Sequence, residues 1–161
     1  VLYIALGTLA VLWLRADPAV GRAHMFLVLL LVWGSDIGAY IAGRVFGGPK
    51  LAPSISPGKT VSGALGGLAA AVAVACIVAW AASPAPPPLL RVAAIAVPIG
   101  VAAQFGDLFE SKIKRVYDVK DSGATIPGHG GLLDRLDALL LAAPVAAALA
   151  MAAERGVLFW L

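Results

Sequence analysis

The chain has 161 residues, of which 61% are hydrophobic and 13% charged, and its mean hydropathy is +0.93. A soluble domain is about a quarter charged and roughly half apolar, so the composition excludes an ordinary soluble protein and predicts one surrounded by lipid. The net charge of +3 comes without a long basic tract, which argues against a nucleic-acid partner. The single cysteine, Cys76, excludes an intrachain disulfide and a cysteine-ligated zinc site.

Five apolar segments follow one another along the chain, most of them near the length of about 20 residues that a bilayer requires. They comprise residues 1–14, 23–46, 61–82, 89–114 and 132–153. The first is short and does not begin with Met, so we expect the sequence to be a piece of a longer protein. The pattern predicts an all-α fold, a polytopic transmembrane helix bundle with about five helices in this stretch.

Lysine and arginine are distributed unequally between the two sides of the predicted bundle. Eight lie in or beside the loops after the second and fourth segments: Arg44, Lys50, Lys59, Lys112, Lys114, Arg115, Lys120 and Arg135. The other side has four: Arg15, Arg22, Arg91 and Arg155. Because cytoplasmic loops carry the excess of basic residues, these two loops are predicted to face the cytoplasm. We expect a multi-pass protein of the inner (cytoplasmic) membrane.

Ionisable side chains interrupt three of the apolar segments, where they face a bundle interior or an aqueous cavity by default. Asp36 lies in the second segment, and Asp134, Arg135 and Asp137 open the fifth. The fourth ends in Asp107, Glu110, Ser111 and Lys114, whose spacing places all four on one helical face. Carboxylates that converge in this way suit Mg²⁺. The alternative is that these acids pair with Lys114, Arg115 and Arg135 as helix-end ion pairs.

Two loops, residues 54–60 and 120–131, are rich in Gly, hydroxyl groups and Lys, and each leads into a helix. Exposed backbone N–H groups at such a helix start favour phosphate oxygens. Gly58-Lys59-Thr60 is not a Walker A motif, because Pro53 replaces its first glycine and no strand is expected before it. His129 is a candidate phosphate donor, or else a turn histidine bonded to nearby backbone.

The run Ser111-Lys112-Ile113-Lys114-Arg115, then Lys120-Asp121, then residues 127–137 resembles the signature of phosphatidate cytidylyltransferases (CDP-diacylglycerol synthases). Two further blocks agree with that family, residues 33–43 and 56–61, so the resemblance covers roughly residues 30–150. There are departures at Gly58 and Ser62, where the family more often has a second lysine and an acid. The resemblance therefore implies no role for positions 58 and 62.

The resemblance implies that residues 1–161 are one transmembrane catalytic region, with its signature at 104–137. It implies transfer of the cytidylyl group of CTP to phosphatidic acid in the bilayer, giving CDP-diacylglycerol and pyrophosphate, with Mg²⁺ as cofactor, a second cation left open, and a homodimer. The implied catalytic residues are Asp107, Asp134, Lys114 and His129. The implied metal ligands are Asp107 and Asp134, supported by Asp137 and Asp36. The implied substrate-binding residues are Ser56, Lys59, Thr60, Ser111, Arg115, Lys120, Asp121 and Arg135.

Three other functions compete with this interpretation. A CTP-dependent lipid kinase would move the γ-phosphate and release CDP. A CDP-alcohol phosphotransferase would show an Asp-x-x-Asp-Gly-x-x-Ala-Arg pattern, which the sequence lacks. A transporter would explain acids inside the membrane, but not two phosphate-binding loops on one face.

Overall fold

The computed structural model describes residues 1–123, 131–152 and 158. These residues form five α-helices and one β-hairpin: α1 (Leu2–Ala16), α2 (Gly21–Phe46), β1 (Lys50–Ala52), β2 (Ser56–Thr60), α3 (Val61–Ala82), α4 (Leu89–Val116) and α5 (Leu133–Met151). The first and last residues of each helix lie within about two residues of the bounds of the corresponding predicted apolar segment. The bounds agree because Pro- and Gly-rich breakers end both the apolar runs and the helices. The predicted all-α bundle is confirmed.

Three of the described helices, α2, α3 and α4, are long and apolar enough to cross a membrane, and α1 is a shorter apolar helix. The chain is therefore a membrane protein. Helix α5 has 19 residues, but Asp134, Arg135 and Asp137 occupy its first two turns and shorten its apolar stretch. The prediction of five spanning segments thus holds for three of the helices that the structure describes.

Helices α2 and α3 pack at very short range through glycine and alanine. A Cβ atom added to Gly66 would collide with the Cβ atom of Ala42, and one added to Gly38 would collide with that of Ala70. Small residues allow two helix backbones to approach in lipid, where dispersion contacts rather than the hydrophobic effect hold helices together. The small residues of α2 and α3 therefore bring these two helix backbones into close contact.

Helix α1 is held against the polar ends of α4 and α5. The Tyr3 hydroxyl donates a hydrogen bond to the Asp137 carbonyl oxygen at 2.7 Å. The Tyr3 ring packs edge-on against Phe109, with ring centroids 5.2 Å apart. Deeper in the bundle, Leu14 joins a core that includes Leu27 and Ile99. The first helix is therefore part of the same packed unit as the acidic helix ends.

The predicted loop at residues 54–60 is instead mostly β-strand, so the expectation that no strand precedes Gly58-Lys59-Thr60 was wrong. Strand β2 pairs with β1 in antiparallel register, Lys50 opposite Thr60 and Ala52 opposite Ser56. The strands are short, and β2 contains Pro and Gly, which are poor strand formers. Composition alone therefore indicated a loop. Pro53 still excludes a Walker A motif.

Candidate active site

A cavity of about 600 Å³ lies between α2, the hairpin, α3 and α4. Its volume falls in the range of about 300–1,000 Å³ that small-molecule sites occupy. Four residues predicted for the site line it: Asp36, Lys59, Thr60 and Asp107. Residues from the first predicted phosphate loop and from two of the three acidic clusters therefore converge.

The central contact of the cavity is an ion pair between Lys59 Nζ on β2 and Asp107 Oδ2 on α4. The Ser111 hydroxyl, one turn further along α4, donates a hydrogen bond to the other oxygen of Asp107 at 3.4 Å. Asp36 and Asp137 both lie within electrostatic range of Asp107. Excess negative charge therefore surrounds the carboxylate that Lys59 neutralises.

Thr60 ends β2 and caps α3. Its Oγ1 accepts a hydrogen bond from the Gly63 backbone N–H at 3.0 Å, which satisfies one free donor of the first helical turn. The cap therefore fixes the backbone of Thr60, and of Lys59 before it, relative to the start of α3. The substrate-binding role that the resemblance implies for Thr60 stays a prediction, and the contact that the structure shows is this cap.

A second ion-pair group lies on the α4–α5 side of Asp107. Lys114 Nζ lies 2.5 Å from Glu110 Oε2 and 2.9 Å from Asp134 Oδ1. The Glu110 side chain is 1% exposed, so a lysine between two carboxylates is largely removed from water. The helix-end ion pairs that sequence analysis left open as an alternative therefore exist for Glu110 and Asp134, both with Lys114, whereas Asp107 pairs with Lys59 of the hairpin.

Asp134 also holds the two described ends of the second predicted phosphate loop. Its Oδ2 accepts hydrogen bonds from the Ser122 N–H at 2.9 Å and from the Gly131 N–H at 2.7 Å. Backbone donors and a lysine thus surround one carboxylate at the start of α5. His129 was predicted to act in this loop and lies outside the described residues.

The other predicted residues are placed around the cavity rather than in it. Arg115 Nε donates to the Ile55 carbonyl oxygen at 3.3 Å, which ties α4 to the hairpin. Ser56 lies on β2, Arg135 is exposed in the first turn of α5, and Lys120 and Asp121 are exposed after α4. The structure therefore does not bring Lys120 or Asp121 to the cavity wall.

The donor set suits a hard cation, although no three of the described His, Cys, Asp and Glu residues are grouped as a ready-made metal site. Five carboxylates belong to the two ion-pair groups and their surroundings: Asp36, Asp107, Glu110, Asp134 and Asp137. Lys59 pairs with Asp107, and Lys114 lies between Glu110 and Asp134. Ammonium groups already contact Asp107 and Asp134, and these oxygen donors also match Mg²⁺ chemistry.

Sequence reasoning missed two polar residues in the cavity, Ser35 and Gln104. The Ser35 side chain is buried, and its Oγ has no hydrogen-bond partner among the residues that the structure describes. Gln104 Nε2 donates to the Ala64 carbonyl oxygen at 2.9 Å. The signal that could have identified them is the one that identified the acids, a polar side chain within an apolar segment.

A pair at the edge of the cavity was also missed. Arg44 donates a hydrogen bond to the Tyr40 hydroxyl at 2.8 Å, and its guanidinium lies 5.9 Å from the centre of the Tyr40 ring. Their spacing of four residues in α2 was a readable signal. Arg44 and Lys59 are the two basic residues that line the cavity within the described ranges.

The sequence matches the model of the cytidylyltransferase family over residues 1–152. It is 46% identical over 141 residues to a phosphatidate cytidylyltransferase of Brucella suis, covering 88% of this chain and 52% of that protein. The enzyme of the same name from Bacillus subtilis is 44% identical, covering 77% of this chain and 46% of the relative. The one from Pseudomonas aeruginosa is 48% identical, with 80% and 48% covered. The chain spans about half the length of these curated relatives, and it belongs to the cytidylyltransferase family.

Proposed function

We propose that the protein transfers the cytidylyl group of CTP to phosphatidic acid, giving CDP-diacylglycerol and pyrophosphate. Relatives that cover most of this chain carry the name phosphatidate cytidylyltransferase. The observation that carries the proposal is the meeting of Lys59 and Asp107 in one cavity. A cationic side chain beside an acid-rich wall suits a polyphosphate that arrives with a cation.

In the proposed reaction an oxygen of the lipid phosphate attacks the α-phosphorus of CTP. The bond from that phosphorus to the bridging oxygen of the β-phosphate breaks, and pyrophosphate leaves with the electron pair. Such transfers depend mainly on positioning and charge neutralisation. Lys59 is proposed to leave Asp107 and bind the triphosphate as a point charge. Arg115, Arg135 and Lys120 are proposed to supply further positive charge at the same end of the bundle, with Ser56, Thr60, Ser111 and Asp121 as polar contacts.

Asp107 and Asp134 are proposed as the principal Mg²⁺ ligands, with Asp36 and Asp137 in support. Bound Mg²⁺ would neutralise phosphate charge and fix the reacting oxygens. Lys114 would keep Glu110 and Asp134 neutralised and in place. His129 is proposed to donate a hydrogen bond to a phosphate. The second cation and the homodimer remain predictions.

Product analysis tests the function. Membranes containing the full-length protein are incubated with phosphatidic acid, Mg²⁺ and CTP labelled on either the α- or the γ-phosphate. The proposal predicts that α-label enters the lipid as CDP-diacylglycerol and that γ-label leaves as pyrophosphate. A lipid that carries the γ-label, with release of CDP, would instead establish a lipid kinase.

The proposed site faces the cytoplasm. A cysteine introduced at Gly58, in a Cys76→Ala background, reports this because Gly58 lines the cavity on β2. Membrane-impermeant thiol reagents should label it only from the cytoplasmic side. Labelling from the opposite side would contradict the proposed entry route of CTP.

A further inference from the structure

Arg44 lines the cavity but has no task in the proposed chemistry. The other basic residue of the cavity wall within the described ranges, Lys59, is paired with Asp107. Arg44 has no acidic partner among the residues that the structure describes. It donates instead to the Tyr40 hydroxyl, a neutral acceptor, at 2.8 Å. The positive charge of Arg44 is therefore available to an anionic ligand.

Tyr40 orients the guanidinium of Arg44. The two residues are four positions apart on α2, so their side chains lie on one face of the helix. Besides the hydrogen bond, the guanidinium lies 5.9 Å from the centre of the Tyr40 ring. The hydroxyl occupies one N–H group of a planar fork, and the remaining N–H groups can donate to two oxygens of one phosphate. This geometry makes arginine better suited than lysine to binding a phosphate group at a fixed angle.

Arg44 and Lys59 extend from neighbouring points of the backbone. A Cβ atom added to Gly43 would lie 2.9 Å from Thr60 Oγ1, so the residue before Arg44 packs against the residue after Lys59. Both basic side chains line the same cavity. Two phosphate groups, one bound at each cation, would therefore meet in one cavity. The proposed reaction needs this arrangement, because one phosphate has to attack another.

The surroundings of Arg44 indicate that its phosphate belongs to a lipid. Arg44 is exposed in the last turn of α2, a helix long and apolar enough to cross a membrane. The adjoining face of the helix carries three exposed apolar side chains, Ile37 (61% exposed), Ile41 (54%) and Val45 (69%). Arginine and tyrosine near the end of a spanning helix lie at the level of the lipid headgroups. A lipid whose acyl chain lies along this apolar face would place its phosphate at Arg44.

A phosphate of CTP could offer the same oxygens, but Lys59 suits it better. The Lys59 side chain is 28% exposed and contacts Asp107, a proposed Mg²⁺ ligand, so it is placed for a triphosphate that arrives with a cation. We propose that Arg44, oriented by Tyr40, binds the phosphate of phosphatidic acid and holds it beside the CTP site. This inference rests on the proposed function and gives its lipid substrate a subsite.

Steady-state kinetics of the full-length protein in mixed micelles of detergent and lipid test the subsite, with phosphatidic acid and CTP varied separately. Arg44→Gln removes the charge and keeps a polar side chain. It should raise the KM for phosphatidic acid by about tenfold to a hundredfold, because a charge-assisted contact to phosphate is lost. The KM for CTP should stay within about twofold of the wild-type value, since Lys59 is unchanged.

Three further variants sharpen the test. Arg44→Lys keeps the charge but loses the fork, and it should raise the KM for phosphatidic acid by about threefold. Tyr40→Phe removes the acceptor that orients Arg44 and should have an effect of about the same size. Arg22→Gln is the matched control: Arg22 is an exposed arginine in the first turn of the same helix and does not line the cavity. It should change neither KM.

The outcomes separate the lipid subsite from the proposed function. If Arg44→Gln raises the KM for CTP as much as that for phosphatidic acid, or changes neither, the lipid subsite is overturned and the proposed function stands. If Arg44→Gln does not reach the membrane, Arg44→Lys decides, and an unchanged KM for phosphatidic acid overturns the subsite. Failure of the wild-type protein to form CDP-diacylglycerol would overturn the proposed function, and this inference with it.

Discussion

The Lys114 ion pairs allow the sharpest prediction about stability. Lys114 is 16% exposed and lies 2.5 Å from Glu110 and 2.9 Å from Asp134, whose side chains are 1% and 11% exposed. Lys114→Met keeps the apolar length of the side chain but leaves both carboxylates without their cation. Removing one partner of a buried ion pair costs about 3–5 kcal/mol, because the remaining charge stays buried.

The magnitude can be checked by a second substitution. In Glu110→Gln/Lys114→Met the most deeply buried charge is gone as well, while Asp134 keeps its bonds from Ser122 and Gly131. We therefore expect the double variant to recover at least about 2 kcal/mol of the loss. Lys112→Met, an exposed lysine of the same helix, is the control and should stay within about 0.5 kcal/mol of wild type.

Thermal unfolding of the full-length protein in detergent provides the assay. For a chain of this size about 3 kcal/mol lowers Tm by roughly 6–12 °C. The single variant should therefore melt well below wild type, with the double variant between them. An unchanged Tm in Lys114→Met, or a double variant less stable than the single, would refute the reasoning that the lysine neutralises a buried acid.

Three further predictions concern the proposed chemistry and the packing of the bundle. Asp107→Asn and Asp134→Asn should each lower kcat by about a hundredfold or more with normal protein levels, since a charge clamp on the transition state is lost; near-normal turnover would remove them as metal ligands. Lys59→Ala should raise the KM for CTP far more than that for phosphatidic acid, and equal effects on both would point to a structural defect. Gly66→Val should destabilise the bundle by about 1–3 kcal/mol in the same melting assay, because its side chain would overlap Ala42. Gly58→Ala, where an added Cβ meets nothing within 4 Å, should not, and similar melting of the two variants would contradict close α2–α3 packing.

The helices could be predicted from sequence because apolar runs and breakers act locally. Residues 61–82 were predicted to the residue, since Pro and Gly flank an uninterrupted apolar run. The stripe from Asp107 to Lys114 was also readable, because helical periodicity alone places those side chains on one face. Its partners in space were not readable, since Lys59 approaches Asp107 from a separate element across 48 positions of chain.

The hairpin escaped prediction for a different reason. Its pairing of Lys50 with Thr60 depends on backbone hydrogen bonds between two short segments, and no alternation of apolar and polar residues marks either one. Ser35 and Gln104 were passed over because neither is charged. Which of their polar atoms find a hydrogen-bond partner depends on how the helices pack. The bond from Gln104 to the Ala64 carbonyl oxygen is an example that no sequence pattern specifies.

The Thr60 cap affects how fast the Lys59 side chain could move away from Asp107. Lys59 is joined directly to a capped helix start, so its backbone is already ordered before any nucleotide arrives. In the proposed reaction, release of Lys59 from Asp107 would then need only rotation about the bonds of its own side chain, a motion of picoseconds to nanoseconds for accessible residues. Under the proposed function, β2 would not have to fold around an incoming triphosphate. The entropy of ordering this strand would then be lost once, when the protein folds, rather than in every catalytic cycle.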